Sequence, residues 1–288
     1  MTAKAEDFVF IVKLSDGRAR RLRNITKFRI IREDGRAERL ELAADFPYIR
    51  GIREISVLVF NEEIFTGPVL TYSCTDTVMK LTAEGRLAFL TRNEARPGII
   101  GNPNSHMIEQ MYLNESGIRF AEKYAALGEM NVEVGTSVRK LIENFALSMF
   151  GRKAYFRRGK IFFSNTPPKG EEISLADADN IIVSENPCML CDKLKIMDRE
   201  TGAYSIAIKR DNSTGRVKYL PSADMETRKA LLQERRNFEF LFRGRFEDIH
   251  PGDSVKLRRK AVGIIVDRVV ISGEHNGVNL IVTGKETV

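Results

Sequence analysis

The sequence predicts a β-rich α+β fold in which two similar small antiparallel β-barrel modules flank a mixed α/β middle region. Short apolar runs separated by turn residues occupy both ends of the chain, and helical periodicity is confined to the middle. A stretch near the C-terminus also repeats the pattern of one near the N-terminus. The expected modules are residues 1–85, 86–237 and 238–288.

The first module contains several strand-like runs at close spacing. The run 8–14 ends at a Ser-Asp-Gly turn, and the run 28–32 ends at Glu33-Asp34-Gly35, which favours a hairpin. Further strand-like runs cover 55–60, 64–70 and 78–82. A parallel sheet would need helical crossovers, for which there is no room, so these runs indicate an antiparallel barrel or sandwich.

The clearest helix of the middle region spans about residues 137–150. Its apolar side chains form one stripe, made of Val138, Leu141, Ile142, Phe145 and Met149. A hydroxyl of Thr136 or Ser137 can accept a hydrogen bond from the free amides of the first turn. Gly151 can then end the helix.

The rest of the middle region mixes short helices, strands and loops. Residues 86–92 predict a short helix, and 96–105 predict a long irregular loop rich in glycine, proline and asparagine. The remaining predicted elements are a hairpin at 154–163 that turns at Arg158-Gly159, strands at 193–196 and 204–209, a polar turn at 211–215 and a second helix at about 223–236. A final β block begins at 238.

Two stretches, 56–85 and 254–284, resemble each other and suggest an internal duplication. Each predicts a strand, a charged turn, a long strand, a polar turn and a last strand that reaches a glycine. Since any two antiparallel meanders look alike, duplication and coincidence both stay open. With duplication, three copies of the chain would present six similar barrels in a ring, which suits an adaptor between sixfold and threefold symmetry.

The composition fits a folded protein with a modest basic excess. Hydrophobic residues make up 43% and charged residues 30%, and the net charge is +7. This charge permits contact with nucleic acid or an acidic partner, but most basic residues lie beside acidic ones, and the basic clusters at 18–23 and 256–260 are short. No apolar run approaches the roughly 20 residues that span a bilayer, and the N-terminus lacks the apolar core of a secretory signal. We therefore expect synthesis and folding in the cytoplasm.

The cysteines and histidines predict no metal site. The three cysteines suit a reducing compartment, and Cys188 and Cys191 have CxxC spacing without the second ligand pair that structural zinc needs. We expect these two to be packed, inert thiols. The histidines are scattered along the chain, at His106, His250 and His275.

Besides a symmetry adaptor, two other functional classes stay open as alternatives. A hydrolase is one, but the chain has no nucleophile elbow, phosphate-binding glycine loop or zinc-protease helix, and His250 beside Pro251 suits a turn better than a general base. A nucleic-acid-binding barrel is the other, with 155–163 as its best aromatic and basic patch. Alternation places at least part of that patch in a core. The sequence predicts no catalytic, cofactor-binding or metal-binding residue.

Several segments together carry a resemblance to a known family. They are residues 63–70 with the following strand to Gly85 and the helix 86–92, the helix and hairpin 137–163, the segment 246–257 with its Pro251-Gly252-Asp253, and the closing stretch 263–284. In order and layout they resemble the tail hub, or baseplate hub, proteins of contractile-tailed bacteriophages and related phage tail-like particles. Residues 99–130 fit this resemblance least, and we assign them no role.

The resemblance implies a non-enzymatic protein of the virion tail baseplate, synthesised and assembled in the host bacterial cytoplasm. Such hubs are homotrimers that join the sixfold tail tube to the threefold spike through a pseudo-sixfold ring. The implied partners are the tail tube protein, the central spike protein, the tape-measure protein and other baseplate proteins. DNA passage through a central channel is possible, and no cofactor is implied. A true phage, a bacteriocin and another contractile machine all remain open as the source.

Overall fold

The described part of the chain is mostly antiparallel β-structure, as the sequence predicts. A computed structural model describes residues 2–45, 49–75, 77–166, 178–185, 191–197, 201–209, 215–220, 236–257, 262–274 and 277–286. Its elements, in chain order, are a 3-10 turn (Ala5–Asp7), β1 (Phe8–Leu14), β2 (Ala19–Leu22), β3 (Ile25–Glu33), β4 (Arg39–Asp45), β5 (Ile52–Val59), β6 (Glu62–Cys74), β7 (Val78–Glu84), α1 (Ala88–Arg92), β8 (Gly98–Gly101), α2 (Ser105–Ile108), a π-helical turn (Glu109–Leu113), β9 (Arg119–Phe120), β10 (Glu129–Val132), α3 (Val138–Phe150), β11 (Lys153–Arg157), β12 (Lys160–Ser164), β13 (Asn180–Glu185), β14 (Lys193–Met197), β15 (Tyr204–Lys209), β16 (Val217–Leu220), β17 (Arg236–Arg243), β18 (Ser254–Leu257), β19 (Val262–Glu274) and β20 (Gly277–Glu286).

Twelve of the described strands belong to one sheet. Its order is β13-β17-β20-β19-β3-β4-β7-β6-β5-β1-β2, and β18 pairs with β19. The N-terminal and C-terminal strands meet where β3 pairs with β19, with Ile30 opposite Ile271. One apolar core includes side chains from both segments, among them Phe10, Phe28 and Leu280. The two end segments therefore share a sheet and a core, while the module boundaries at 85 and 238 stay a prediction.

The two similar sequence stretches form the same three-strand meander. Strands β5, β6 and β7 pair in succession, and so do β18, β19 and β20. The middle strand has thirteen residues in both cases. Each middle strand also shifts register once against the strand that follows, after Val69 in β6 and after Val266 in β19. A bulge bends a strand. Before its bend β6 pairs mainly with β5 and after it with β7. Strand β19 pairs with β18 before its bend and with β3 after it, and it keeps β20 as a partner on both sides.

Helix α3 covers a second apolar core in the middle region, as its sequence stripe predicts. Ser137 accepts a hydrogen bond from the amide of Lys140 at 3.2 Å, so Ser137 rather than Thr136 is the cap. Gly151 ends the helix with a φ of +63°. The buried face of α3 comprises Val138, Leu141, Ile142, Phe145 and Ala146. Hairpin β11–β12 packs against this core through Ile161 and Phe163.

The structure corrects the expectation of a long irregular loop at 96–105. Residues 98–101 form β8, which pairs with β10 some thirty residues later. Asn104 then caps α2 by accepting a hydrogen bond from the amide of Met107 at 2.9 Å. The glycines and prolines mark the ends of short elements here, and the partner that makes β8 a strand is distant in sequence.

Other expectations from the middle region have different outcomes. The predicted strands at 193–196 and 204–209 are confirmed as β14 and β15. The polar turn at 211–215 and the helix at about 223–236 lie almost wholly outside the described residues, as does Cys188. Cys191 is buried and packs with Leu194. None of the described helices is long and apolar enough to cross a membrane.

Removing the cap of α3 provides a first test of this fold. We expect Ser137→Ala to lower the free energy of unfolding by about 1 kcal/mol, because the amide of Lys140 loses its acceptor. The measurement is urea unfolding followed by circular dichroism. Thr136→Ala is the matched control and should change stability by less than about 0.5 kcal/mol. Equal losses in the two variants would contradict the assignment of the cap.

Candidate functional site

A buried arginine, Arg32 of β3, lies at the centre of an ionic cluster. Its side chain is 1% exposed. The Nη1 group donates to Asp248 Oδ1 and to the carbonyl of Ile249, both at 2.8 Å, and Nη2 donates to the carbonyl of Ile64 at 2.7 Å. The Nε atom lies 3.0 Å from Glu38 Oε1. One guanidinium thus joins the N-terminal strands to the loop before β18.

That loop is folded by its own short-range hydrogen bonds. The amide of His250 donates to Asp253 Oδ2 at 2.9 Å, across a turn in which Gly252 has a φ of +90°. The imidazole Nε2 lies 3.2 Å from Asp248 Oδ2, which indicates the tautomer with a proton on Nε2. These contacts account for two residues of the Pro-Gly-Asp sequence after His250. The aspartate accepts the hydrogen bond across the turn, and glycine adopts the positive φ of the turn without strain.

The tip of hairpin β11–β12 adds a third segment to the cluster. Arg158 donates from Nε to Asp248 Oδ2 at 2.8 Å and from Nη2 to Glu62 Oε2 at 3.0 Å. Arg157 forms an ion pair with the buried carboxylate of Asp253. We call the set formed by Arg32, Glu38, Arg157, Arg158, Asp248, His250 and Asp253 the ionic junction. It connects three segments that are far apart in sequence.

The junction shifts the pKa values of its members in ways that burial and charge explain. Burial lowers the pKa of His250, and the positive charge of Arg32 lowers it further, to about 4. Burial also raises the pKa of Glu38, although Arg32 opposes this change. Burial alone would raise the pKa of Asp248, but the hydrogen bond from His250 and the charge of Arg32 hold it well below its usual range. A neutral imidazole and an ionised Asp248 are therefore the stable forms near neutral pH.

The geometry of the ionic junction suits a structural role, in which it holds its three segments of the chain together. A small cavity of about 30 Å³ beside it is lined in part by Glu63, Thr66 and Arg86. This volume holds a water molecule or two, whereas ligand pockets are roughly ten times larger. Because the buried charges pair with one another, removing one of them leaves its partners uncompensated.

The residues that the sequence raised as candidates fall in different places. His250 lies in a turn, as expected, but it is also a buried member of the junction. His106 is exposed and separate from it, and His275 lies outside the described residues. In the aromatic patch at 155–163, Phe163 is buried and Tyr155 stacks on Phe162 with ring centroids 5.6 Å apart. One face of the patch, with Ile161 and Phe163, therefore lies in the core, as alternation predicts, while Tyr155 and Phe162 are half-buried on the other face.

Sequence reasoning missed the junction itself, although one signal pointed to it. In β3 the residues Phe28, Ile30 and Arg32 occupy alternate positions, and all three are buried. Side chains two apart in a strand share a face. A charged residue on an otherwise apolar face is therefore a signal for a buried ion pair, and its partner Asp248 lies 216 positions away.

The depressed pKa of His250 predicts a specific pH dependence of stability. The unfolded chain takes up a proton on His250 near its ordinary pKa of 6.5, whereas the folded protein resists until about 4. The contribution of His250 to stability is thus fully present above pH 6.5 and is lost as the pH falls to 4. The loss should be about 1.4 kcal/mol per pH unit, or roughly 3 kcal/mol in total.

The measurement compares the wild type with His250→Gln in urea unfolding at several pH values. The glutamine amide can still donate a hydrogen bond to Asp248, and Glu38 is common to both proteins, so the difference between the two curves reports chiefly on the imidazole. As the pH is lowered from 6.5 to 4, we expect the free energy of unfolding of the wild type to fall to that of the variant or below it. A constant difference across this range would contradict a buried neutral His250.

Solved structures of phage tail proteins are similar to this chain over nearly its whole length. The 43 kDa tail protein of prophage MuSo2 from Shewanella oneidensis has a TM-score of 0.69 at 14% identity, with 96% of this chain and 97% of that chain covered. A tail protein from Neisseria meningitidis MC58 has a TM-score of 0.68 at 12% identity, with coverages of 97% and 96%. Prophage tail protein gp18 from Listeria monocytogenes EGD-e has a TM-score of 0.56 at 10% identity, with coverages of 96% and 94%.

No family model matches the sequence, and no curated protein does. The similarity is therefore structural, at sequence identities too low for the sequence comparisons to detect it. It concerns the fold. It extends across the N-terminal strands, the middle region and the C-terminal strands together. The chain has the fold of these phage tail proteins, and at that level the resemblance predicted from the sequence is confirmed.

Proposed function

We propose that this protein is a structural hub of a phage-type tail baseplate. Three copies would form a pseudo-sixfold ring that joins the sixfold tail tube to the threefold spike. The observation that carries this proposal is the repeated meander: β5–β7 and β18–β20 have the same strand order, and their long middle strands share a length and a bulge. Two such units per chain become six in a trimer. The full-length likeness to tail proteins supports the same role.

The edges of the large sheet support assembly into a ring. Among the described strands, β13 and β2 stand at its two ends. Strand β13 exposes apolar side chains on both faces, with Ile181, Ile182 and Val183 between 42% and 50% exposed. An edge of this kind favours pairing with another chain. Pairing of β13 with β2 of the next copy would be head-to-tail, and a head-to-tail contact closes into a ring when the rotation allows.

In this role the protein acts through docking surfaces and not through catalysis. Its partners would be the tail tube protein, the spike protein, the tape-measure protein and other baseplate proteins. The ionic junction would hold the middle region on the ring, because Arg157 and Arg158 of the hairpin bind carboxylates of the C-terminal segment. The central channel would let the tape-measure protein or DNA pass.

Native mass spectrometry of the full chain tests the proposal. We expect a trimer of about 98 kDa from chains of 32.7 kDa, and we expect Ile182→Lys on the edge strand to shift the population to monomer. Leu147→Lys is the control, because Leu147 is 63% exposed on α3, away from either edge strand. A wild type that stays monomeric at high concentration, also when mixed with the tube and spike proteins of its own particle, would contradict the hub.

A further inference from the structure

The small sheet of β14, β15 and β16 exposes an ordered apolar and basic face. The register places Lys195 opposite both Ile206 and Tyr219, and Lys193 opposite Val217. Residues at paired and alternate positions share a face. We call this surface the tyrosine–lysine face; it comprises Lys193, Lys195, Tyr204, Ile206, Val217 and Tyr219. Its four uncharged side chains are between 42% and 54% exposed.

The side chains of this face contact one another in a defined arrangement. The ammonium of Lys195 lies 5.1 Å from the ring centroid of Tyr219. Tyr204 meets Tyr219 edge-on, with ring centroids 5.3 Å apart and planes at 84°. Because Lys195 already covers a face of the Tyr219 ring, that ring is a poor platform for a nucleic-acid base. The two lysines lie on the central strand β14, and the apolar and aromatic side chains lie on the flanking strands β15 and β16. A mixed surface of this kind suits a protein partner that carries both acidic and apolar groups.

A second exposed surface of the same chain has the opposite charge. Strands β8 and β10 pair so that Ile99 lies opposite Asn131, and Glu129 lies opposite Gly101. Ile99 is 67% exposed, while its neighbour Ile100 faces the core. Glu133 continues the exposed alternation just after β10. We call the surface formed by Ile99, Glu129, Asn131 and Glu133 the acidic hairpin face.

Both surfaces hold charges for which the described residues provide no salt-bridge partner. Among the described residues, no salt bridge involves Lys193 or Lys195, and none involves Glu129 or Glu133. Leu127 and Val134, which flank β10, are 91% and 86% exposed. Apolar side chains at such exposure beside unpaired charges favour burial against a partner of complementary shape and charge.

We propose that the tyrosine–lysine face of one copy binds the acidic hairpin face of a neighbouring copy. Lys193 and Lys195 would pair with Glu129 and Glu133, and Ile99 would pack against the apolar side chains of β15, Tyr204 and Ile206. The two surfaces differ, so the contact is head-to-tail and compatible with a closed ring. This inference rests on the proposed trimer and names a contact that would hold it together.

Charge reversal with rescue tests the contact. We expect Lys193→Glu/Lys195→Glu to raise the dissociation constant of the trimer at least tenfold, because like charges then meet across the interface. Glu129→Lys/Glu133→Lys should have the same effect. The protein that carries all four substitutions should return to within about threefold of the wild type. Sedimentation velocity of the full chain at 0.1 M salt measures all three variants.

Each possible result supports or overturns the contact. Lys80→Glu/Lys140→Glu is the control, with the same change in net charge at exposed positions elsewhere, and it should leave the trimer intact. A trimer that neither double reversal weakens would overturn the contact and leave the hub proposal standing. If each double reversal weakens the trimer but the protein with all four substitutions does not recover, the contact is also overturned. A wild type that is monomeric by itself overturns the contact, and one that stays monomeric also with the tube and spike proteins of its particle overturns the hub proposal as well. Loss of binding to a single-stranded oligonucleotide in the lysine variant, with the trimer unchanged, would assign the face to nucleic acid instead.

Discussion

Replacing Arg32 with methionine should lower the free energy of unfolding by about 3–5 kcal/mol, the largest effect that we expect from a single substitution. Methionine fills much of the same space but donates no hydrogen bond. The carbonyl of Ile64 would lose its donor, and the carboxylates of Asp248 and Glu38 would lose the charge that compensates their burial. Guanidinium unfolding followed by circular dichroism measures the loss.

Arg36→Met is the matched control for this experiment. Arg36 belongs to the turn after β3, its side chain is 77% exposed, and it pairs with Glu33 at 2.7 Å. An exposed pair of this kind contributes at most about 1 kcal/mol. If Arg32→Met costs no more than Arg36→Met, the ionic junction does not stabilise the fold. Should Arg32→Met fail to fold, Arg32→Lys, which keeps the charge but loses the forked geometry, should give a measurable intermediate loss.

Replacing Gly67 with alanine should also cost about 3 kcal/mol or more. A Cβ atom at this position would lie 1.8 Å from the carbonyl oxygen of Glu84 and 3.0 Å from the Cα of Gly85. Both are backbone atoms of the chain at the end of β7, so no side chain can rotate away. The strand pairing of β6 would have to shift, and the first meander would be distorted.

Gly101→Ala serves as the control for Gly67→Ala. Gly101 also lies in a strand, and a Cβ atom there would meet nothing within 4 Å. Its stability should stay within about 0.5 kcal/mol of the wild type in thermal or urea unfolding. Equal stability of the two alanine variants would show that β6 and the end of β7 are farther apart than this fold requires.

The sequence predicts the local elements well where the pattern of apolar residues is regular. Strand β1 and helix α3 follow directly from alternation and from an apolar stripe. Strands β2 and β4 escape prediction, because β2 is mostly exposed and basic and β4 places charges among its apolar residues. Strand β8 has only two large apolar residues, and its pairing with β10 decides its structure.

Contacts between distant parts of the chain could not be predicted in the same way. The pairing of β3 with β19 joins the two end segments into one sheet, and no local pattern specifies that register. The junction has the same character, since Arg32 and Asp248 meet only in the folded chain. The buried position of Arg32 was visible in the alternation of β3, but the identity of its partners was not.

Cryo-electron microscopy of the assembled protein is the most direct test of the hub. We expect end-on class averages with a central hole, threefold symmetry and a strong sixfold component in their rotational power spectrum, since each of three copies contributes two similar meanders. Rings with threefold density but no sixfold component would contradict the symmetry-adaptor role. Dimers or open filaments in place of rings would contradict the hub itself.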